Sequence, residues 1–545
     1  MKVQDILNLN SSQDLNKKWV VFIFLISIAL SFVVFGNTLD NPFLFDDIHL
    51  ESNMNLYAMD NIGSIFSSPF HFIKSSLYRP VAMLSYAINR IFGDSPTSFR
   101  FFQVLMYGIN GGLLFLVLNK LGFKKIETIV ASVLFTVHPI HNEIINVIVF
   151  RTELLATGFG LWAMYLRLCN KNLLGVYLLF LLSLLSKETG LAIIAILLYF
   201  LLFVKQDEAM NLWSKIKKYK NDIFCSLGTI SIFLGLRFLV IGGIAVNDPT
   251  IIVQNPIQHI SKLQGIATAF KALGMYLIKL FYPKTLSIDY SFNQISAPKN
   301  IFDPLFILGI LVLIIPILIL IPKIKLSYKY KLSATFLFFP LILVSNLTTK
   351  IGSIFAERWL YIPSIGFSII VAIILSWLLG KKKKIFPILS ILIAILVVCF
   401  SITKNWNRNS DWKSGFSLYS STAKASPNSV LARNNLGAMY LLEKDYQSAK
   451  EELEAATNIY SNYPQLLYNW GYYYQAIKDL KNAENCYLKT LEIDPEYIDA
   501  YSQLIQLYVN INNPEKAQEM AEIKFQKDSD IKSYNDFQTI LKQLK

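Results

Sequence analysis

Long apolar runs separated by short polar turns dominate the first 404 residues of this 545-residue chain. A helix needs about 20 apolar residues to cross a bilayer, and fewer if it is buried in a bundle. On this criterion the pattern predicts about 11 membrane-spanning helices. They lie near residues 19–39, 99–119, 126–146, 150–168, 172–186, 189–204, 222–244, 303–322, 332–347, 362–379 and 385–403. The fold class that we expect is therefore all-α, a polytopic membrane helix bundle.

Lysine and arginine residues predict how these helices are oriented. Basic loops follow every second span, as in "KKYK" and in the lysine run at 381–384, and such loops stay in the cytoplasm. The apolar segment 263–283 would break this alternation if it crossed the membrane. The alternation therefore favours a re-entrant or surface-lying amphipathic helix there, and it places the N-terminus in the cytoplasm.

A different pattern begins after Lys404. Residues 405–429 are rich in serine and asparagine and read as a linker. Residues 430–545 then repeat with a period of 34 in three phases, which are Gly437 and Gly471; Tyr440, Tyr474 and Tyr508; and Ala449, Ala483 and Ala517. This period is typical of the tetratricopeptide helix–turn–helix unit. The sequence predicts a membrane domain over 1–404, a linker over 405–429, and an α-solenoid of about three repeats plus a capping helix over 430–545.

Composition supports a membrane protein and excludes other classes. The chain is 54% hydrophobic and only 16% charged, below the 25% or so of soluble domains. Its net charge of +14 lies largely in the short basic loops, so it indicates topology and not nucleic-acid binding. The four cysteines are scattered, without the paired spacing of a zinc site or a disulfide framework.

Ionisable residues cluster in five turns that this topology places on the exoplasmic side. Charged groups beside apolar spans are costly and are usually paired or functional. Five such turns on one side predict a shared polar cavity, in which cations hold a phosphate and a carboxylate accepts a proton from a hydroxyl. The turns contribute Asp46 and Asp47; His138, His141, Glu143 and Arg151; Lys187 and Glu188; Asp289; and Glu357 and Arg358, and an amphipathic segment at 79–93 adds Arg79.

Each of these motifs also has a simpler explanation. His138 and His141 have the spacing of metal ligands, but no third ligand is evident. Lys187 and Glu188 are also compatible with a charge pair at a helix end. Arg79 and Arg358 are equally compatible with anchors at the lipid headgroups. A channel or carrier would place its charges near the middle of the membrane, whereas these lie at the ends of spans.

Six motifs in order resemble a known family. They are "FLFDD", "YRPVAMLSYAIN", "HPIHNEIINVIVFRTELLA", "LLSKETGLA", "LSIDYSF" and "ERWLYIPSIGF", followed by the repeats. The chain resembles the transmembrane and tetratricopeptide-repeat O-mannosyltransferases of the GT-C class. The resemblance covers nearly the whole chain and implies a multispan glycosyltransferase that uses a polyprenyl-phosphate sugar on the exoplasmic face. The mechanism that we expect is a single displacement with inversion.

The resemblance also implies roles for individual residues. Asp46 and Asp47 match the acidic motif that acts as, or supports, the general base. The donor phosphate would be bound by Arg79, Arg151, Lys187 or Arg358. The residues expected to line the cavity are His138, His141, Glu143, Glu188, Asp289 and Glu357. No cofactor is required by these motifs, although a divalent metal is compatible with them.

The sequence leaves three alternative functions open. The first is transfer of mannose or another hexose to a hydroxyl of a protein or an envelope glycan, with the repeats recruiting the acceptor. The second is a non-enzymatic scaffold for envelope assembly, which would need no polar cavity. The third is a lipid-linked-glycan ligase or flippase. The isoleucine-, lysine- and asparagine-rich composition favours a bacterium, and hence an inner membrane with the active face and the repeats in the periplasm.

Overall fold

The protein is helical throughout the part of the chain that the structure describes. The structure, a computed structural model, describes residues 17–52, 54–70, 76–204, 211–243, 252–383 and 385–528. Within these ranges there is no β-strand, which confirms the predicted all-α class. The chain divides into two compact units.

The first unit comprises Met1–Thr250, Ile257–Ile288 and Ala297–Ser417. Its helices of ten or more residues are α1 (Lys17–Phe35), α2 (Pro80–Arg90), α3 (Pro96–Lys120), α4 (Lys125–Val137), α5 (Arg151–Leu168), α6 (Leu173–Ser186), α7 (Gly190–Tyr199), α8 (Lys220–Ile241), α9 (Lys262–Phe281), α10 (Pro304–Leu320), α11 (Tyr328–Leu343), α12 (Tyr361–Leu379) and α13 (Ile385–Ser410). Short helical turns connect several of them, including Asp47–Ser52 and Asn142–Asn146.

Five helices in the described ranges are long and apolar enough to cross a membrane. They lie within Lys17–Thr38, Pro96–Lys120, Lys220–Ile241, Glu357–Leu379 and Ile385–Lys413, and α4 with Pro139–Asn146 makes a sixth if this bent pair is one span. The other five predicted spans correspond to α5, α6, α7, α10 and α11, which are shorter or more polar. A helix inside a bundle faces other helices, so it can be shorter and more polar than one that faces lipid.

The segment predicted to be re-entrant or surface-lying forms the 20-residue helix α9, which packs closely on α10. A Cβ on Gly274 would lie 2.0 Å from the Leu305 carbonyl oxygen, and one on Gly309 would lie 1.7 Å from that of Phe270. Only glycine permits such a close approach of two helix backbones. That α9 is re-entrant or lies on the membrane surface stays a prediction.

The second unit comprises Ile251–Pro256, Asp289–Ser296 and Leu418–Lys545. After α14 (Gly415–Ala425) its helices form three successive pairs, α15 (Val430–Leu442) with α16 (Tyr446–Ile459), α17 (Pro464–Ala476) with α18 (Leu480–Ile493), and α19 (Ile498–Asn510) with α20 (Pro514–Asp528). Corresponding helices begin 34 residues apart, at 430, 464 and 498. The predicted helical repeat region is therefore present. The predicted capping helix lies beyond residue 528, outside the described residues.

Small residues and turn residues recur with the same period. Ala449, Ala483 and Ala517 are fully buried. The turn inside each pair has one residue with a left-handed backbone, at Lys444 (φ 61°), Lys478 (φ 66°) and Asn512 (φ 55°). The next residue caps the second helix of the pair, as Asp445 does by accepting a hydrogen bond from the Ser448 backbone N–H.

The division between the units does not coincide with the predicted linker. Most of 405–429 is helical, because α13 continues to Ser410 and α14 begins at Gly415. The first unit extends to Ser417, well past the predicted boundary at residue 404. The asparagines that suggested a linker are partly buried inside the first unit, where Asn405 and Asn409 are fully covered.

Candidate active site

The two adjacent aspartates have different surroundings. They follow Phe45, whose backbone is left-handed (φ 57°), an unfavourable conformation for an aromatic residue. The Asp47 side chain is fully buried, and its two carboxylate oxygens accept hydrogen bonds from the backbone N–H groups of Ile148 and Val149, both at 3.0 Å. Asp47 therefore joins the first loop to the turn that precedes α5.

Arg100 also binds this loop, through backbone carbonyl oxygens. Its guanidinium donates hydrogen bonds to the carbonyl oxygens of Asn41 at 2.9 Å, Pro42 at 2.5 Å and Asn146 at 2.5 Å. The side chain is fully buried. Arg100 was not predicted, because it lies inside a predicted span, although an arginine within an apolar run is itself a signal of a functional or paired charge.

Asp46 faces a different set of groups and is only partly buried. Burial raises the pKa of Asp46 above its ordinary value, the Arg358 cation opposes this rise, and Glu143 adds to it. Asp46 is thus a partly exposed residue in the field of an arginine. Of the two aspartates, it is the one that a ligand can reach.

Arg358 is paired with Glu143 across a sequence separation of 215 residues. The guanidinium contacts one carboxylate oxygen at 2.5 Å, while the backbone N–H of Arg358 donates to the other at 2.8 Å. The guanidinium carbon also lies 4.5 Å from the ring centre of Phe150. Glu143 is buried, but the Arg358 side chain retains 17% exposure, so part of the guanidinium can contact a ligand.

Lys187 forms a second buried pair with Glu153. Its Nζ lies 2.6 Å from a Glu153 oxygen, which also accepts a hydrogen bond from the Thr189 hydroxyl. Burial lowers the pKa of Lys187, Glu153 opposes this change, and the cations of Arg79 and Arg358 lower the pKa further. Lys187 therefore shares one electrostatic environment with both arginines.

Glu188 lies between two arginines. Arg79 donates to one of its oxygens at 3.0 Å, and Arg237 donates to the other at 2.9 Å. The Glu188 side chain is 37% exposed and that of Arg79 is 14% exposed, so this cluster reaches the surface. Arg237 was not predicted, again because it lies inside a predicted span.

Two of the remaining candidates, Arg151 and Glu357, are bound by protein groups of the first unit. Arg151 is fully buried and donates to Gln103, Asn89 and the carbonyl oxygens of Ser85 and Phe99. Glu357 is also buried, accepting a hydrogen bond from the Ser287 backbone N–H at 2.9 Å, with the Lys279 Nζ at 4.0 Å.

Asp289 lies in the second unit, whereas the other candidates lie in the first. Its carboxylate accepts hydrogen bonds from the hydroxyls of Ser291 and Ser429, and its carbonyl accepts one from Ser426. The segment 289–296 packs with the helical repeats of the second unit, and the role of Asp289 in lining the cavity stays a prediction.

The two histidines use both ring nitrogens on protein partners. For His138, Nε2 lies 3.0 Å from the Leu280 carbonyl oxygen and Nδ1 accepts from the Ile140 backbone N–H. For His141, Nδ1 lies 2.8 Å from the Tyr107 hydroxyl and Nε2 lies 2.8 Å from the Ser364 hydroxyl. Among the described residues, no group of three or more His, Cys, Asp or Glu side chains is arranged to hold a metal ion.

These features define a helical membrane protein with a charged, partly open site in its first unit. The accessible groups are Asp46, Arg79, Glu188 and Arg358, and the buried partners behind them are Glu143, Glu153, Lys187 and Arg237. These groups thus include both carboxylates and cations. Such a mixture can bind an anionic group and accept a proton in the same place.

The predicted resemblance is confirmed by curated relatives that are named protein O-mannosyl-transferases. The human protein O-mannosyl-transferase TMTC3 is 26% identical over 527 residues, which cover 89% of this chain and 57% of the relative. The Caenorhabditis elegans protein O-mannosyl-transferase F38B6.6 is 29% identical over 432 residues, 76% of this chain and 59% of the relative. The Xenopus laevis protein O-mannosyl-transferase tmtc2 is 27% identical over 534 residues, 82% of this chain and 63% of the relative.

The matched region spans less than two thirds of the length of these relatives, at 57–63%. No protein-family model matches the chain.

Proposed function

We propose that this protein is a membrane glycosyltransferase that transfers mannose or another hexose from a polyprenyl-phosphate-linked donor to a hydroxyl of a protein acceptor. The names of its relatives support the reaction type, since three of them from different animals are called protein O-mannosyl-transferases. The site supports the donor class, because it combines a carboxylate with cations that suit a phosphate. The donor would enter from the bilayer that surrounds the first unit.

One observation carries the proposal, namely that Asp46, a partly exposed residue, lies in the electrostatic field of Arg358. The Arg358 side chain is itself 17% exposed. A general base must reach the acceptor hydroxyl, and a phosphate ligand must reach the donor. Asp47 meets neither requirement, because it is buried and both of its oxygens accept backbone hydrogen bonds.

The proposed reaction is a single displacement with inversion at the anomeric carbon. Asp46 accepts the proton of the acceptor hydroxyl while the hydroxyl oxygen forms a bond to the anomeric carbon. The bond between that carbon and the phosphate oxygen breaks, and its electron pair leaves with the polyprenyl phosphate. Arg358 and Arg79 stabilise the negative charge that develops on this leaving group.

The proposed phosphate site differs from the set expected from the sequence. It comprises Arg79 and Arg358, whose guanidinium groups are partly exposed, with buried Lys187 adding positive charge from behind them. Arg151 is left out, because it is fully buried and donates to four protein oxygens. Glu188 would order Arg79 through their hydrogen bonds at 3.0 and 3.3 Å.

We further propose that the site lies on the exoplasmic face, which is the periplasm if the source is a bacterium. This placement rests on the basic loops that alternate with the charged turns. The helical repeats of the second unit would then recruit the acceptor on the same side. Repeat arrays of paired helices form extended surfaces of the kind that bind peptides and proteins.

A transfer assay with the full chain in lipid nanodiscs tests the proposed function. Radiolabelled polyprenyl-phosphate mannose, glucose and aminosugar donors are each offered with a mixture of serine- and threonine-containing peptides. We expect label to appear on peptide with at least one hexose donor, and the same assay with a chelator tests the predicted compatibility with a divalent metal. If no donor lipid is consumed, the glycosyltransferase proposal fails and the membrane-anchored scaffold is favoured.

The ionisation of Asp47 predicts opposite pH trends for stability and activity. Burial raises the pKa of Asp47 to about 7 from its ordinary value of 3.8, with Arg100 and the two backbone N–H groups opposing this shift. Between these two values the folded chain binds more protons at this site than the unfolded chain does. The contribution of Asp47 to stability therefore falls as the pH rises from 3.8 through about 7.

Transfer should instead increase as the pH rises through neutrality. Asp46 must be ionised to accept a proton, and ionised Asp47 holds the loop through two charge-assisted hydrogen bonds. We expect the wild-type melting temperature to fall more between about pH 5 and about pH 8 than that of Asp47→Asn, because asparagine does not titrate. Equal pH dependence of the two melting temperatures would contradict the assignment of a raised pKa to Asp47.

A further inference from the structure

The asparagine-rich segment after the last apolar run contributes a buried side chain to the first unit. Asn409, in the last turn of α13, is completely buried, and so is Trp412 just beyond it. The Asn409 side-chain oxygen accepts hydrogen bonds from the Nδ2 groups of Asn142 at 2.6 Å and Asn146 at 3.0 Å. The Trp412 Nε1 donates to the Asn142 side chain at 3.1 Å. The end of α13 is thereby fixed to the turn between α4 and α5.

Asn409 also binds the segment that leads from α1 to the two aspartates. Its Nδ2 donates to the Asn37 side-chain oxygen at 2.6 Å, and its carbonyl oxygen accepts from Asn41 Nδ2 at 3.0 Å. A single residue therefore contacts both sides of the junction that Asp47 and Arg100 also hold. We call the group Asn37, Asn41, Asn142, Asn146 and Asn409 the asparagine cluster.

The asparagine cluster and the acidic loop share their partners. Arg100 donates to the backbone carbonyls of Asn41 and Asn146, and both residues belong to the cluster. The N–H groups that bind Asp47 belong to Ile148 and Val149, two and three residues after Asn146. A displacement of Asn146 would therefore move the anchor of Asp47, and with it the neighbouring Asp46.

We propose that Asn409 is a positioning residue that fixes the acidic loop against the turn between α4 and α5. Its effect on catalysis rests on the proposed function, while its effect on the loop does not. Asn409 lies behind the loop, and its amide is fully used by protein groups in donating to Asn37 and Val34 and accepting from Asn142 and Asn146. It acts through the position of Asp46, which must be correct to within about an ångström for efficient proton transfer.

Asn409→Ala tests this proposal, with Asn405→Ala as the matched control. Asn405 is also a fully buried asparagine, one turn earlier on α13, but its amide donates to the carbonyl oxygens of Val137 and Ser401 and does not bind the acidic loop. We expect hydrogen exchange of the backbone amides in 41–50 to become about tenfold faster in Asn409→Ala and to stay unchanged in Asn405→Ala. This measurement requires no enzymatic activity.

Kinetics then separate positioning from general destabilisation. We expect kcat to fall about 10- to 100-fold in Asn409→Ala while KM for the donor lipid stays within about twofold, because the phosphate site is not contacted. Asn37→Ala removes one acceptor at an exposed position, so it provides the milder test if Asn409→Ala fails to fold. It should accelerate exchange of the same amides.

The outcomes distinguish the two proposals. Faster exchange in 41–50 without any sugar transfer by the wild-type chain would support positioning and reject the glycosyltransferase. Unchanged exchange in Asn409→Ala, or an equal increase in Asn405→Ala, would overturn the positioning role even if transfer is observed. A fall in kcat that Asn405→Ala reproduces would also overturn it, since both variants remove a buried amide from the same helix.

Discussion

Asp46→Asn is expected to reduce sugar transfer by about 10²- to 10⁴-fold, which is the usual contribution of a general base. Asparagine keeps the size of the side chain and cannot accept the hydroxyl proton. Asp46 is only partly buried and lies in the field of Arg358. The hydrogen bonds of Asp47 are made by its own carboxylate, so the substitution leaves them intact. We therefore expect the loss in kcat, with donor affinity largely retained. The measurement is transfer of labelled hexose by nanodisc-embedded protein.

Glu51→Gln is the matched control for this experiment. Glu51 lies on the same short helix, Asp47–Ser52, and is exposed, so the same carboxylate-to-amide change occurs away from the site. It should transfer sugar at the wild-type rate. Asp47→Asn should instead lower the melting temperature, because at least one buried backbone N–H loses a charged acceptor, at a cost of about 1–3 kcal/mol. Full activity of Asp46→Asn would remove it as the base.

Lys187→Met is expected to lower the free energy of unfolding by about 3–5 kcal/mol, the largest effect on stability that we predict. The substitution removes the cation from a pair whose side chains are only 8% and 2% exposed, at 2.6 Å. Glu153 is then left as a buried carboxylate without its partner. The measurement is reversible unfolding of the full chain in mixed detergent, followed by a probe of helix content.

A second substitution distinguishes the charge from the packing. Lys187→Met combined with Glu153→Gln removes the isolated carboxylate and keeps an acceptor for the Thr189 hydroxyl, so it should recover a large part of the lost stability. Asp94→Asn provides the comparison at an exposed pair, since Asp94 is 52% exposed beside Arg90, and it should change the free energy of unfolding by less than about 1 kcal/mol. An equally small effect of Lys187→Met would show that the buried pair does not stabilise the fold.

The regular parts of the fold could be predicted from periodicity. Apolar runs located the helices of the first unit, and the 34-residue period located helix pairs that begin at 430, 464 and 498. The left-handed turn residues were not predicted, because lysine is not a residue that signals this conformation. Only the shared phase of Lys444, Lys478 and Asn512 would have indicated them. Periodicity at the turns was therefore more informative than residue type.

The candidate site was predicted less completely, because its pairs form between distant parts of the chain. Charged turns identified Asp46, Lys187 and Arg358, but the pairing of Arg79 with Glu188 joins residues 109 positions apart. Arg100 and Arg237 were not predicted, because each lies among apolar residues of a predicted span. Sequence alone did not indicate that Asp289 belongs to the second unit, because a polar turn at the end of a helix can pack in either unit.

The continuation of α13 to Ser410 determines where this chain can be shortened. A chain that ends at Lys404, where the polar composition begins, would lack Asn409 and Trp412, and it would remove three hydrogen bonds that these residues make with the side chains of Asn142 and Asn146. Loss of activity in such a truncation would be mistaken for a requirement for the repeats. A stop after Ser417, where the first unit ends, retains these contacts while it removes the helical repeats.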